Sequence, residues 1–579
     1  MPRRRIVYGI VTAAVILVGG RGLSSLYASY AWYRAMGASP LWSERTTIML
    51  LVWTLGLGLA TLAAFVNFSI LRRSIGSLTL PRRLANVEFG EAVPRRYLDR
   101  FALALSAAIA LLLSPALPGW TLVAAARLGL TFRESDPYFK HDLSFYITWL
   151  PLERAVYGWA MLLLVVVTAI VVGLYALTPG FRWERGSLHM TARVRRHLSI
   201  LAGLLLLMTT WSYRLAAYGL LARGSGEGGA FSFVDHRWLL PGLLLLSIAT
   251  VAAAVTVFFS GWTGQLRTSF IAVTVVIILS ILVKQVVPFA VARVGTPATR
   301  REREVPYVAT RAEFTRRAYS IPALSMESRN PGAAVEAPAE TGGTDAIVEH
   351  ALARDSLVYP FARGLAVVSE PQLDVAAPPL GDGMVRVANA WAHRSLALMS
   401  DSIPRRARLV SVRDVRNRVS AVAPVFAQGT ALRPFFHADT LYWRLELYTS
   451  STTYPLSSRR VIASEERGYF HHAATALVSA RTGKVMLATD QARDPFADAW
   501  LNAFSHSADI RAPGILRQLT AQPWAALPTE SPLTAGDSTF RAAVTRLYNS
   551  MRASLTAADL AAFGLAYDSL GMLLAPPPR

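Results

Sequence analysis

Residues 268–293, TSFIAVTVVIILSILVKQVVPFAVAR, are long and apolar enough to cross a bilayer, which takes about 20 residues. Lipid offers no hydrogen-bond partners, so such a run must satisfy its own backbone and folds as a helix. Six further runs precede it, at about 6–29, 46–71, 101–119, 155–177, 198–220 and 238–260. No comparable run follows residue 294. The chain is therefore expected to be an α-helical polytopic membrane domain of seven spans followed by a water-soluble α+β half. Pro115 and Pro118 break the end of the third run, and Arg214 interrupts the fifth. The arginine-rich head and the first apolar run also have the outline of a signal peptide. No small-x-small cleavage site follows, and Tyr27, Tyr30, Trp32 and Tyr33 read as an interfacial belt, so an uncleaved span is expected.

A net charge of +22 raises the question of nucleic acid, and the placement of that charge answers it. Residues 1–293 carry 28 basic and 11 acidic side chains (28 − 11 = +17), which leaves 31 − 26 = +5 for the rest. The excess lies between apolar runs, and no basic stripe interleaved with aromatics occurs in the soluble half. With the N-terminus in the cytoplasm, inner segments carry 16 basic residues and outer segments eight. That asymmetry satisfies the positive-inside rule and puts the soluble half outside the cytoplasm. Cysteine is absent, which excludes disulfides, thiolate metal sites and cysteine nucleophiles.

Two outer loops carry most of the candidate chemistry. In RESDPYFKHDLSFYITWLP (133–151), Asp136, His141 and Asp142 sit among Tyr138, Phe139, Phe145, Tyr146 and Trp149. Asp136 and Asp142 suit an oxygen-rich cation site. They suit better a capped interfacial helix, with Asp136 or Asp142 capping and the aromatics at headgroup level. In RGSGEGGAFSFVDHRWLLP (223–241), four glycines form a loop that could cradle an anion, and Asp235 is placed to cap the sixth span. There is no phosphate-loop lysine and no strand–helix context for a nucleotide. Lys284, in the outer half of the seventh span, either snorkels to the interface or pairs with a neighbouring span.

These two loops resemble signature segments of uncharacterised protein family 0182, multi-pass bacterial membrane proteins. So does REREVPYVATRAEFTRRAYSI (301–321), through Glu304, Pro306, Tyr307, Thr315, Arg316, Ala318 and Tyr319. The resemblance implies seven spans, a cytoplasmic N-terminus, a large outer domain and a bacterial cell membrane. It implies no activity. It extends through TSSTTYPLS (449–457), ATALVSARTGKVMLATD (474–490) and QARDPFADAWLNAF (491–504), and then departs, as in a shortened member.

In the soluble half, residues 294–345 are expected to form a juxtamembrane helix and a linker, 346–511 an α+β domain, and 512–579 a Pro-rich stretch and a helix pair. Val387–Ser400 and Arg413–Val422 have helical spacing. Leu441–Thr449 alternates as a strand, and 474–490 reads as a hairpin turning at Thr482-Gly483. An antiparallel sheet follows. No catalytic motif is present, and no cofactor or metal is expected. His471 and His472, with His437 and Asp439 upstream, are adjacent but should point to opposite faces of a strand. The expected role is a non-catalytic envelope component whose partners are the lipid bilayer and an envelope lipid, wall polymer or another membrane protein. A transporter using Arg21, Arg214 and Lys284 is one alternative. An enzyme acting on lipid-linked substrates through Asp136, His141 and Asp142 is another.

Overall fold

The computed structural model describes residues 2–74, 83–84, 87–88, 95–176, 181–184, 187–294, 296–319, 358–361, 365–368, 375–404, 406–437, 440–462, 465–488, 494–504, 545–546, 548–551 and 553. It divides into Met1–Ala323 with Ile347–Ala512, and Leu324–Ala346 with Pro513–Arg579. The second unit is described only at its helical residues between 545 and 553. The expected linker and most of the C-terminal helix pair thus lie outside the described residues.

In the first part of that first unit the helices are α1 (Pro2–Ala35), α2 (Ser39–Ser74), α3 (Arg95–Leu112), α4 (Trp120–Arg127), α5 (Leu150–Ala176), α6 (Ala192–Ala222), α7 (Leu240–Thr263), α8 (Leu266–Ile281), α9 (Val287–Arg293) and α10 (Pro297–Ala318). Five stretches are long and apolar enough to cross a membrane: Ser39–Arg73, Phe145–Ala176, Ala192–Ala222, Asp235–Thr263 and Leu266–Val291. The bent pair Asp99–Leu112 and Ser114–Arg127 makes a sixth if taken as one span. Its 41° bend falls at Leu113, two residues before Pro115, beside the proline break the sequence marks. The first expected span lies in α1, several of whose early side chains fall outside the described residues, so five to six spans are defined where seven were expected.

Packing follows small residues. Ala60, Ala64, Ala110 and Val171 are buried in a core shared by α2, α3, α5 and α6, and Tyr213, Leu243, Leu246 and Val283 form a second one between α6, α7 and the turn that follows α8. Gly203 leaves room for the Phe258 ring, since a Cβ there would stand 2.4 Å from it. At one end of the bundle are the two arginine-bearing hairpins β1–β2 (Arg83–Leu84, Val87–Glu88) and β3–β4 (Phe181–Glu184, Ser187–Met190). Nearby, His197 joins Tyr175 Oη and Asn67 Oδ1, each at 2.9 Å, a buried polar triad that the sequence does not announce.

At the other end sits the α+β domain. A three-stranded antiparallel sheet holds β5 (Val358–Phe361), β6 (Leu365–Val368) and β7 (Arg408–Val410). A four-stranded one, ordered β13-β12-β9-β8, holds β8 (Ala427–His437), β9 (Thr440–Ser451), β12 (Tyr469–Ser479) and β13 (Val485–Ala488); β10 (Arg460–Ile462) and β11 (Glu465–Arg467) form a side hairpin. On β9 Leu445 and Leu447 are buried while Arg444 and Glu446 face away, the alternation read from the sequence. The β12–β13 turn has Gly483 at φ +72°, the left-handed region glycine occupies without strain. Helices α11 (Gly383–His393), α12 (Val415–Val422) and α13 (Pro495–Phe504) cover the sheets. Arg418 of α12 is fully buried and donates to the carbonyls of Val412, Ala376 and Gly483. It also touches Met36 Sδ at 3.4 Å, so it pins the sheet turn to the α1–α2 corner.

Candidate functional site

Three widened helical turns shape the end of the bundle that faces the α+β domain. Phe145–Trp149, Asp235–Leu239 and Leu282–Val286 are each one turn of π-helix. Each is followed by a residue and then a proline: Leu150-Pro151, Leu240-Pro241 and Val287-Pro288. In all three the residue before the proline donates its N–H five residues back, to Phe145, Asp235 and Leu282 respectively. The physical cause is the proline ring, which clashes with the carbonyl four residues earlier in an α-helix; a widened turn moves that carbonyl away. Proline also withholds an N–H. The Tyr146 carbonyl, whose wide-turn donor would be residue 151, instead accepts from Thr453 Oγ1 of the α+β domain at 2.5 Å.

The loop before the first π-turn is folded around Asp136 and Asp142. Asp136 is fully buried, and its carboxylate accepts from the N–H groups of Tyr138, Phe139 and His141 and from Tyr146 Oη. Asp142 accepts from the N–H groups of Phe132, Arg133 and Ser144. Partial burial works against its charge, but the hydrogen bonds from Ser144, Phe132 and Arg133 outweigh that and hold its carboxyl below the ordinary value. The two carboxylates serve separate donor sets rather than converging on one point. This is the capping arrangement, with charge-assisted bonds fixing the loop. Asp235 does the same in the second loop. It is fully buried and accepts from Ser225 N, Ser232 N and Ser232 Oγ.

Aromatic contacts lock the two loops together. Tyr138 packs on Phe231 at 4.7 Å and on His236 at 4.8 Å between ring centroids. His141 stacks on Phe145 at 4.6 Å and its Nε2 lies 3.2 Å from Tyr218 Oη. Burial pushes the Tyr138 hydroxyl up to about 12, so it stays protonated. Helix α10 closes the cluster: the Glu304 carboxylate accepts from Phe233 N, and Tyr307 Oη pairs with His236 Nδ1 at 2.8 Å. Burial raises the Glu304 carboxyl above its ordinary value against the pull of the Phe233 N–H.

The segment 449–457 then lands on this cluster. Besides Thr453, Leu456 N donates to Leu221 O at 2.6 Å, and Arg459 Nε to Ala222 O at 3.0 Å. These are carbonyls of the last turn of α6, which have no partner within their own helix. Thr315 Oγ1 of α10 accepts from Ser458 N at 2.8 Å, and Tyr319 Oη, just past that helix, donates to the carbonyls of Ser458 and Arg467. His471 and His472 point apart. His471 Nε2 donates to Arg317 O of α10 at 2.6 Å, whereas His472 Nε2 meets Glu446 on β9 at 2.9 Å. His437's side chain and Asp439 lie outside the described residues.

Lys284 stands apart from the loops. It lies within the third π-turn, its ammonium 4.6 Å from the centre of the Tyr213 ring. Arg214, one residue on, faces α5 instead: it pairs with Glu153 at 3.1 Å, and Trp211 Nε1 donates to the same carboxylate at 2.8 Å. Arg21 lines a separate hollow with Trp391 and Met399. The three cations thus have three different surroundings. Among the described residues no group of three or more His, Asp or Glu side chains is placed to hold a metal ion. Sequence reading missed Glu153, Tyr218 and Thr453. Tyr218 and Glu153 carry no local signal, and Thr453 is visible only as part of the family-like TSSTTYPLS.

The assembly is that of a helical chain with several helices of membrane-crossing length, whose interhelical loops and α+β domain form one hydrogen-bonded cap. The chain belongs to the Uncharacterised protein family (UPF0182), whose model matches residues 6–350 and 375–510. Family proteins of Nocardioides sp., Moorella thermoacetica and Geobacter sulfurreducens are 25%, 29% and 27% identical over 359, 341 and 341 residues. Those alignments cover 61%, 56% and 55% of this chain but only 35%, 35% and 36% of the relatives. The matched part is therefore about a third of the length of these relatives. No solved structure matches the chain.

Proposed function

We propose that the protein is a non-catalytic component of the bacterial cell membrane, with seven spans, a cytoplasmic N-terminus and an extracytoplasmic α+β domain. In this reading the domain and the outer loops form a fixed platform that recognises an envelope lipid, a wall polymer or another membrane protein. The observation that carries it is the docking just described: the domain donates hydrogen bonds to the carbonyls of Tyr146, Leu221 and Ala222 at the ends of spans. The carboxylates of Asp136 and Asp235 are committed to backbone N–H groups, which suits a rigid frame better than acid–base chemistry. The arginine-bearing hairpin β3–β4 joins α5 and α6 at their ends far from this domain, and β1–β2 joins α2 to α3, which agrees with the positive-inside rule.

The absence of cysteine gives a clean background for the test. Met384, 89% exposed on α11, and Gln265, exposed in the α7–α8 link, are changed singly to cysteine. In intact cells, a membrane-impermeant maleimide should label Met384→Cys and reach Gln265→Cys only after lysis. The opposite pattern would overturn the proposed orientation.

A further inference from the structure

We propose that a pocket beside the last span binds the phosphate headgroup of an anionic phospholipid, with the acyl chains lying against that span. This rests on the envelope reading above and names one ligand for it.

The pocket has a volume of about 360 Å³, in the range of small-molecule sites. Its walls come from three elements and differ in chemistry. Pro288, Phe289 and Val291 of α9 supply an apolar side. Ser225, Gly226 and Ser232 of the second loop supply hydroxyls and backbone. Arg300 and Arg303 of α10 supply positive charge. Spaced three apart, the two arginines share one helix face. Glu304 also lines the pocket, but its carboxylate accepts from Phe233 N. The lining thus carries two cations against one anion.

The site stands where a lipid headgroup would be. Leu266–Val291 is one of the apolar stretches of membrane-crossing length, and the pocket opens at its last residues. Phe289 is 58% exposed and Val294 60% exposed, apolar surface suited to acyl chains rather than water. Arg303 lies over the Phe233 ring of the lining at 5.6 Å, and Arg293, just outside the lining, over Phe289 at 3.9 Å, so positive charge sits directly on aromatic surface at the pocket. A phosphate between guanidinium groups makes charge-assisted hydrogen bonds, which lysine can replace only in charge. A soluble anion would gain nothing from the apolar side; a phospholipid uses both.

The test uses the full chain in nanodiscs holding phosphatidylglycerol and phosphatidylcholine in equal parts, with retained lipid read by native mass spectrometry. The wild type should retain phosphatidylglycerol in preference. R300A/R303A should reduce that retention about tenfold or more, while R300K/R303K keeps most of it. Arg301→Ala, on the same helix but outside the lining, should leave it unchanged. Equal retention of both lipids, or an alanine pair that holds phosphatidylglycerol like the wild type, would overturn the site. So would displacement of the lipid by millimolar inorganic phosphate, since the pocket would then be a free-phosphate site. Labelling at Met384→Cys separates the two failures. Outside labelling without lipid preference removes this site alone; a cytoplasmic Met384 overturns the envelope reading whatever the lipid does.

Discussion

At the scale of single residues, the aspartates that stand out in the sequence act as struts. Asp136 answers four donors with two oxygens, and all four lie within ten residues of it. An asparagine keeps one acceptor oxygen and turns an NH₂ toward two of those donors. Each donor left unpaired in a buried site costs about 1–3 kcal/mol. Asp136→Asn should therefore lower the stability of the purified protein by about 2–4 kcal/mol, read by thermal unfolding, with secondary structure retained. Calcium should leave the wild-type midpoint unchanged; a midpoint that rises with calcium would restore the cation-site reading. The sequence shows both readings because carboxylates near turns serve either purpose. What decides is whether the oxygens converge on one point or on backbone N–H groups, and only the folded loop shows that.

Secondary-structure elements were legible in proportion to how local their causes are. The helices of membrane-crossing length and the β9 alternation follow from hydropathy and period, so they stand close to where the sequence puts them. The three π-turns could not be read, though their prolines are in plain view. A proline can break a helix, kink it or widen one turn, and the outcome depends on what receives the freed carbonyl. For Pro151 that receiver is Thr453, 307 residues from Tyr146. This coupling is testable. Thr453→Val, similar in volume, removes the donor and should destabilise the protein by about 1–3 kcal/mol. Pro151→Ala restores an N–H that can reach the Tyr146 carbonyl. In that background Thr453→Val should cost clearly less, and the double-mutant cycle reads the difference. Strict additivity would show that the hydroxyl does not serve the carbonyl freed by the proline.

On the scale of the whole molecule, the α+β domain continues the bundle instead of hanging from it. Helices α1 and α2, at 34 and 36 residues, exceed what a bilayer needs, and their meeting ends enter the domain. There Trp32, Tyr33 and Met36 are buried, and Tyr33 Oη donates to Ala421 O at 3.0 Å. The sequence shows Trp32 and Tyr33 only as an interfacial belt, because a belt and a docking surface use the same aromatic residues. The join between α10 and the sheet makes the assembly sensitive to acid. Burial holds the His471 imidazole below its ordinary 6.5, against the opposing pull of Asp494 and of the Arg317 carbonyl. An undocked His471 takes up a proton more readily, so its contribution is complete above about 6.5 and is lost as pH falls below it. Glu446 extends the loss. Burial raises its carboxyl, but His472, Arg444 and Thr475 outweigh burial and hold it below its ordinary 4.5, so its contribution fades as pH drops further. Both signs agree. The thermal midpoint should be level between pH 8 and 7 and fall steadily toward pH 4. His471→Gln keeps an N–H donor for Arg317 O but does not titrate, so it should flatten the upper part of that fall, between about pH 6.5 and 5. A midpoint that rises on acidification, or an identical fall in the glutamine variant, would show that the α10–sheet join does not set the acid response.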